Sequence, residues 1–320
     1  MGYYRLLLAV MVLFSHCGLK LPNYNQGVTA VVSFLIISGY VITKLISAKF
    51  PSKSDIKLFY VDRSLRLFPQ FIFYMIVTTC LYLFFDGTSK VNATQILVNF
   101  TMIPLNFFAV YFNEYIIVPQ SWSLGLEMQF YLLIPLILLS KRKALIASLS
   151  LMLFIPAYLG LINTDYFGYR MITGTLFIFL LGSMMASNEI KPLAILYSFS
   201  FIMLLFSLND KGLSQEFNKE VLSGIIIGVP VVWILFKANI KSSFDRLAGD
   251  LSYGVYLNHL MFFYFYSKIG FNVISVGGSL LILGSSLFMS YFSLRLIEKP
   301  FYQLRHNKVK KDVFSRNKPF

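Results

Sequence analysis

The sequence predicts an all-α polytopic membrane protein: a bundle of about ten transmembrane helices with both termini cytoplasmic. Three observations carry that expectation. First, the 320 residues are 57% hydrophobic and only 13% charged, against about 25% charged in ordinary soluble domains, and mean hydropathy is +0.69. Second, apolar runs of about 20 residues, the length a helix needs to cross a bilayer, recur along the whole chain. Third, the 28 Lys and Arg residues are unevenly placed. All but Lys20, Lys90, Arg170, Lys211, Lys219 and Lys268 fall at helix ends or loops on one side, the positive-inside pattern. That distribution accounts for the formal net charge of +14 and leaves no role for nucleic acid. Cys17 and Cys80 lie in apolar segments without a partner motif, so neither a disulfide nor a metal site is expected.

The first helix is predicted over 3–19, around the stretch YRLLLAVMVLFSHCG at 4–18. It reads as a retained helix rather than a signal peptide, since no small-residue cleavage site follows. A polar turn at Lys20–Asn23 leads to a second helix over 28–46. The basic loop that follows, with Lys49, Lys53, Lys57, Arg63 and Arg66, marks the cytoplasmic side. A third helix covers 67–85 and ends at the polar run 86–92. Segment 96–112 carries Asn99, Pro104 and Asn106, and 122–140 ends in Lys141-Arg142-Lys143. If both crossed, that basic triplet would land outside. The first is therefore predicted to be a non-spanning, outer-side or re-entrant element, and the second to be the fourth span. Irregular backbone at that depth needs cover from protein or a cavity. Spans over 144–161, 171–187, 193–208, 220–236, 252–267 and 276–296 then place Lys237, Lys241, Arg246 and the tail Arg305–Lys318 inside. This gives a transmembrane domain over 1–305 and a basic cytoplasmic tail over 306–320. No appended soluble domain or internal repeat is expected.

Several polar residues stand in or beside these spans. Arg5 and His16 are eleven residues apart, three helical turns, so they share one face about 16 Å apart. Ionisable groups in such a helix normally face protein or a water-filled path. Arg63 and Arg66, three apart, are neighbours on a helical face. Paired guanidinium groups suit phosphates, and ordinary positive-inside anchoring explains them too. Glu127, in Ser121-Trp122-Ser123-Leu124-Gly125-Leu126-Glu127, is either a structural partner or a proton-transfer group. Ser38-Gly39 allows close helix approach. Tyr253, Tyr256 and His259 repeat every three residues and share a stripe, with His259 open to a substrate or a structural role.

The joint order of these motifs resembles the membrane acyltransferase-3 family, ten-helix enzymes that O-acylate bacterial surface carbohydrates. The likeness covers about 1–305. Arg5 and His16 match the family's basic-residue, ten-residue-gap, histidine signature, and Phe34–Gly39 is similar to its FFxxSG motif, with Leu35 replacing the second Phe. Arg63 and Arg66 match RxxR, Ser121–Glu127 matches SWSLxxE, Leu251–His259 contains SYxxYLxH, and Glu298–Phe301 matches ExPF. Asn258 stands where the family often has an aromatic residue, a departure that would bear on acceptor specificity. No counterpart of the esterase-like domain that some relatives carry is expected.

The resemblance implies a bacterial inner-membrane enzyme that moves an acyl group, most often acetyl, from cytoplasmic acyl-CoA to a hydroxyl of a surface polysaccharide such as O-antigen or capsule. Its partners would be acyl-CoA as co-substrate, a lipid-linked or surface glycan as acceptor, and membrane lipids, with no permanently bound cofactor. Arg63 and Arg66 would hold the nucleotide phosphates, and Arg5 would contact the donor or fix the first helix. His16 would act as general base, or form a transient acyl-histidine, with Glu127 orienting the imidazole. Ser38, Ser121, Trp122, Ser123, Arg170, Tyr253, Tyr256 and His259 are candidates for an acceptor or structural site. The competing readings are a transporter or flippase of a lipid-linked saccharide, or a non-enzymatic member of a glycan export complex.

Overall fold

The computed structural model describes residues 1–89, 91–238 and 242–304. Lys90, Lys241, Arg305 and the basic tail 306–320 lie outside the described residues. Among the described residues the chain forms twelve α-helices, and its one extended pairing is an isolated bridge between Leu21 and Tyr24.

The centre of the bundle is four helices. α1 (Gly2–His16) packs along α11 (Ser243–Lys268) and α2 (Gln26–Lys49), and α2 packs along α8 (Ile172–Ser187). α8 is apolar all round and buried along nearly its whole length, as a helix without a polar face must be. The α2–α8 contact is backbone to backbone. A Cβ on Gly39 would lie 1.8 Å from the Phe179 carbonyl oxygen, and one on Gly182 would lie 2.0 Å from that of Ile36. Small residues permit such approach, and dispersion and helix packing then replace the hydrophobic drive that is missing between helices in lipid.

Four further long helices complete the bundle: α3 (Ile56–Asp86), α6 (Trp122–Ser140), α9 (Ile190–Asn209) and α10 (Asn218–Ala238). Outside them stand α7 (Lys143–Tyr158) and α12 (Val276–Ser293). α7, α9 and α12 turn large apolar side chains outward, among them Leu149, Leu153, Phe199, Phe206, Leu280 and Phe288. An apolar surface on this scale is what a bilayer covers.

Seven of the helices are long and apolar enough to cross a membrane: α2, α3, α6, α9, α10, α12, and α8 together with the helical turn Tyr166–Arg170 that leads into it, 22 residues over Tyr166–Ser187. The other three expected spans are helical but do not meet that standard. α1 has 15 residues and α7 has 16, which at 1.5 Å per residue falls short of a ~30 Å hydrocarbon layer. α11 has 26 residues but carries a polar stripe in which Asn258 and His259 are wholly buried.

Two helices also start earlier than hydropathy places them. α3 begins at Ile56 behind a capping box between Ser52 and Asp55. α11 begins at Ser243, where the Ser242 side chain accepts from the Phe244 amide. Hydropathy marks where a helix enters lipid, whereas caps decide where it starts.

Segment 96–112 is two short helices, α4 (Ala93–Thr101) and α5 (Leu105–Tyr111), and neither is long enough to cross. They break at Met102, whose φ is +59°, ahead of Pro104. The buried Asn99 amide donates to the carbonyls of Gln95 and Tyr115, and its oxygen accepts from the Ile117 amide. Gly125 of α6 lies against this break, since a Cβ there would meet the Met102 carbonyl oxygen at 2.9 Å.

Candidate active site

α1, α2, α3, α6 and α11 enclose a cavity of about 280 Å³. Arg5, Arg63 and Arg66 line it with Ser38, Ser123 and Glu127, and Tyr253 and Tyr256 close it from α11. Three guanidinium groups from two helices therefore face one space, which suits an anionic ligand. Arg63 stands on a stretch expected to be loop, yet it is only 9% exposed because α3 begins two turns before it.

The arginines differ in how they are held. Arg63 donates its Nε to the Asp62 carboxylate at 2.9 Å. Arg66 pairs with Glu298, carried on a π-helical turn over Leu294–Glu298, and its guanidinium lies 5.6 Å from the Tyr253 ring centroid. This pairing joins the third helix to the closing motif, a link no sequence spacing reveals. The Arg5 guanidinium makes no hydrogen bond or ion pair with the described residues, while Glu127 and Asp250 are carboxylates within electrostatic reach of it.

Glu127 does not touch the His16 imidazole. Its Oε1 accepts from Ser38 Oγ at 2.7 Å and from the Tyr131 hydroxyl. The expected carboxylate–imidazole contact is therefore not made, because Glu127 lies one turn beyond Ser123, toward the Arg5 end of α1. Tyr131, which sequence reasoning passed over, lies four residues after Glu127. It therefore shares a helical face with it, and that spacing was the available signal.

His16 meets another histidine instead. Its Nδ1 lies 2.9 Å from His259 Nε2, and the two rings are near parallel, 12° apart. The hydrogen bonds fix the proton positions. His259 Nδ1 is 3.1 Å from the Val255 carbonyl oxygen, which can only accept, so this nitrogen carries the proton. In neutral His259 the other nitrogen, Nε2, then accepts, and His16 Nδ1 must donate to it. That leaves the lone pair of His16 on Nε2, which has no hydrogen bond to the described residues. His259 is wholly buried, whereas His16 is exposed. Neither lines the cavity, but Tyr256 connects them to it. The Tyr256 ring stands 6.2 Å from that of His259, and its hydroxyl lies 2.7 Å from Ser123 Oγ.

The remaining candidates lie elsewhere. Ser121 Oγ donates to the Val118 carbonyl oxygen at 2.6 Å, closing the turn that starts α6. Arg170 pairs with Asp165 at 2.8 Å and lies over the Trp122 ring at 4.7 Å, so both are tied into local packing. Asn258 faces α3 and α12, its amide nitrogen lying 3.1 Å from the Ser286 carbonyl oxygen, 3.1 Å from Ser290 Oγ and 3.3 Å from the Tyr74 hydroxyl. The departure at this position therefore ties helices together and does not line the cavity.

The acyltransferase-3 family model, described as an acyltransferase domain, matches residues 2–295. A protein of Aquifex aeolicus (strain VF5) is 36% identical over 201 residues, covering 59% of this chain and 90% of its own length. A "Putative O-acetyltransferase" of Staphylococcus aureus (strain COL) is 27% identical, over 86% of this chain and 52% of its own length. The O-acetyltransferase OatA of Staphylococcus aureus (strain NCTC 8325 / PS 47) is 31% identical over 123 residues, 36% of this chain and 20% of its own. The chain thus spans about half or less of the length of the staphylococcal relatives it matches. No solved structure matches it. A family model aligned over nearly the whole chain, and a cavity formed from that family's motif residues, lead to one conclusion: the chain belongs to the membrane acyltransferase-3 family.

Proposed function

We propose that this protein is an O-acyltransferase of the bacterial inner membrane, moving an acyl group, acetyl by preference, from acyl-CoA to a hydroxyl of a cell-surface polysaccharide such as O-antigen or capsule. The observation that carries this reading is the convergence of Arg5, Arg63 and Arg66 on one cavity whose wall, through Tyr256, leads to the His16–His259 pair. All ten long or apolar helices are membrane-embedded in this reading, with the arginine end and both termini cytoplasmic, as the charge asymmetry directs.

The donor fits in part. A volume of about 280 Å³ lies just below the ~300–1,000 Å³ of pockets for drug-sized ligands. It therefore suits the acylated arm of the thioester and not the whole coenzyme. Arg63 and Arg66 hold the phosphates at the mouth, and charge-assisted hydrogen bonds of this kind contribute about 1.5–3 kcal/mol each. Glu127, anchored by Ser38 and Tyr131, balances the positive charge of Arg5 across the cavity.

His16 supplies the base. As the acceptor hydroxyl oxygen attacks the thioester carbonyl, its proton passes to His16 Nε2. The C–S bond then breaks, the thiolate of CoA leaves, and the imidazolium returns a proton to it. His259 accepts from His16 Nδ1 throughout, holding the ring in the tautomer that keeps Nε2 basic. The test compares the ester content of surface polysaccharide by mass spectrometry in wild type and His16→Ala strains, matched for the protein's abundance in the membrane. The expected result is an acyl group per repeat in wild type and none in the variant. Identical glycans in the two strains would overturn the reading.

A further inference from the structure

A second cavity, of about 190 Å³, lies between α3, α11 and the turn before α6. Thr78, on its α3 wall, is twelve residues beyond Arg66, about 18 Å along the helix, so this cavity belongs to the end of the molecule away from the arginines. Thr78, Tyr82, Gln120, Phe263 and Tyr264 supply most of its wall, and none of the residues lining it is charged. Its rim reaches the surface at the exposed Pro119.

Two of its lining residues hold buried polar atoms with no partner. Thr78 and Gln120 are each 3% exposed, and neither Thr78 Oγ1 nor Gln120 Oε1 makes a hydrogen bond with the described residues. Gln120 Nε2 donates to the Leu257 carbonyl, which identifies Oε1 as the free acceptor. A buried polar atom left unpaired is destabilising, so two at one cavity point to a missing ligand or water. Gln120 also joins this cavity to the first, because its carbonyl oxygen accepts from Ser123 Oγ at 3.2 Å and Tyr256 Oη at 3.3 Å. On α11, Leu260 and Met261 line the cavity directly after His259.

We infer that this cavity is a binding site for a single neutral sugar ring. Its hydroxyls would pair with Thr78 Oγ1 and Gln120 Oε1, and its apolar face would rest on the tyrosine and phenylalanine rings. The volume is below the ~300 Å³ at which pockets for larger ligands begin, which limits the occupant to one ring. The absence of charge in the wall selects against uronic and sialic acids. That the bound ring is the acceptor rests on the acyltransferase reading, whereas the site itself does not.

The experiment uses the full chain in lipid nanodiscs. The probes are the methyl glycosides of glucose, galactose, N-acetylglucosamine and rhamnose, followed by saturation-transfer NMR. The site predicts binding of at least one, weakened about fivefold or more by Thr78→Val through loss of one hydrogen bond. Thr78→Ser should restore it, and Leu260→Trp, which fills the space, should abolish it. Thermal unfolding of each variant checks that it is folded. If no glycoside binds, or if Thr78→Val leaves binding unchanged, the cavity holds water only and the inference fails. Thiol release from acetyl-CoA, measured alongside, keeps the two readings apart. Release without mapped sugar binding counts against the site alone. Mapped sugar binding without release supports the site and counts against the acyltransferase.

Discussion

Arg5 and His16 stand on the same short helix, about 16 Å apart, in opposite surroundings. Around Arg5 the protein gathers charge: Arg63 with Asp62, Arg66 with Glu298, and Glu127 with its two hydroxyl donors. Around His16 the hydrogen-bonding groups are neutral, a second imidazole, Tyr256 with Ser123, and then Gln120 and Thr78, with the cations Lys20 and Arg170 within electrostatic reach. The same four helices, α1, α3, α6 and α11, supply both ends. Charge at one end suits electrostatic capture of an anionic donor. At the other, neutral hydrogen-bond partners keep the imidazole in one tautomer and suit a hydroxylic ligand. The transfer proposed above uses both properties.

The sharpest way to break this contrast is at the histidine pair. His259→Phe removes the acceptor from His16 Nδ1 while keeping a ring in place. Turnover should fall about 10²-fold or more, within the span of general-base effects, with the KM for acyl-CoA unchanged. His259→Gln, which restores an acceptor, should recover part of the loss. An equal effect of Phe and Gln on turnover would mean that His259 serves packing alone.

At the charged end, Arg63→Lys keeps the charge but loses the fork that pairs with Asp62. The expected outcome is a rise of about tenfold in the KM for acyl-CoA with little change in kcat, since one charge-assisted hydrogen bond contributes about 1.5–3 kcal/mol. Steady-state kinetics at several salt concentrations would check this. A change in kcat alone would place Arg63 outside donor binding.

Packing between the two ends is tested at Gly39. Gly39→Val drives a branched side chain into the Phe179 carbonyl, 1.8 Å from the position of Cβ. The α2–α8 contact should weaken by about 1–3 kcal/mol, the usual cost of overpacking, read as a lower unfolding midpoint in detergent.

The smallest effect is expected at Asp245, where the carboxylate accepts from the Tyr3 amide at 3.0 Å and the Met1 amine at 3.1 Å. Burial works to raise its pKa, but the amides of Tyr3 and Gly2 and the Met1 amine outweigh it, so the net shift is downward. A carboxyl group shifted down in the folded state adds stability above its unfolded pKa of about 4 and loses it as the pH falls below that. Asp245→Asn should therefore cost about 1 kcal/mol at neutral pH, as for a lost helix cap, and little in acid. Unfolding midpoints across pH would show the two curves converge.

The amino-acid sequence by itself determined the helical class, the order of the elements and most of the polar residues around the first cavity. Those features rest on local properties: apolar run length, basic-residue asymmetry, and helical spacing of the kind that joins Arg63 to Arg66. It also separated segment 96–112 from the crossing helices, because Asn99, Pro104 and the basic triplet after Ser140 conflict with two further spans. What it could not decide was which polar groups meet across helices. The partner of His16 is His259, 243 positions away, and Arg66 is held by Glu298 from the far end of the chain. Within a span, spacing gives a side chain's bearing about its own axis but not the rotation of one helix against another. A rotation of one residue, about 100°, would exchange Asn258 for His259 at the contact with α1. The Gly39 and Gly182 contacts that lock α2 on α8, and the cap that starts α11 at Ser243, help set those rotations. For that reason only the tertiary structure decided that the imidazole of His16 is held by another imidazole, while Glu127 is held by Ser38 and Tyr131.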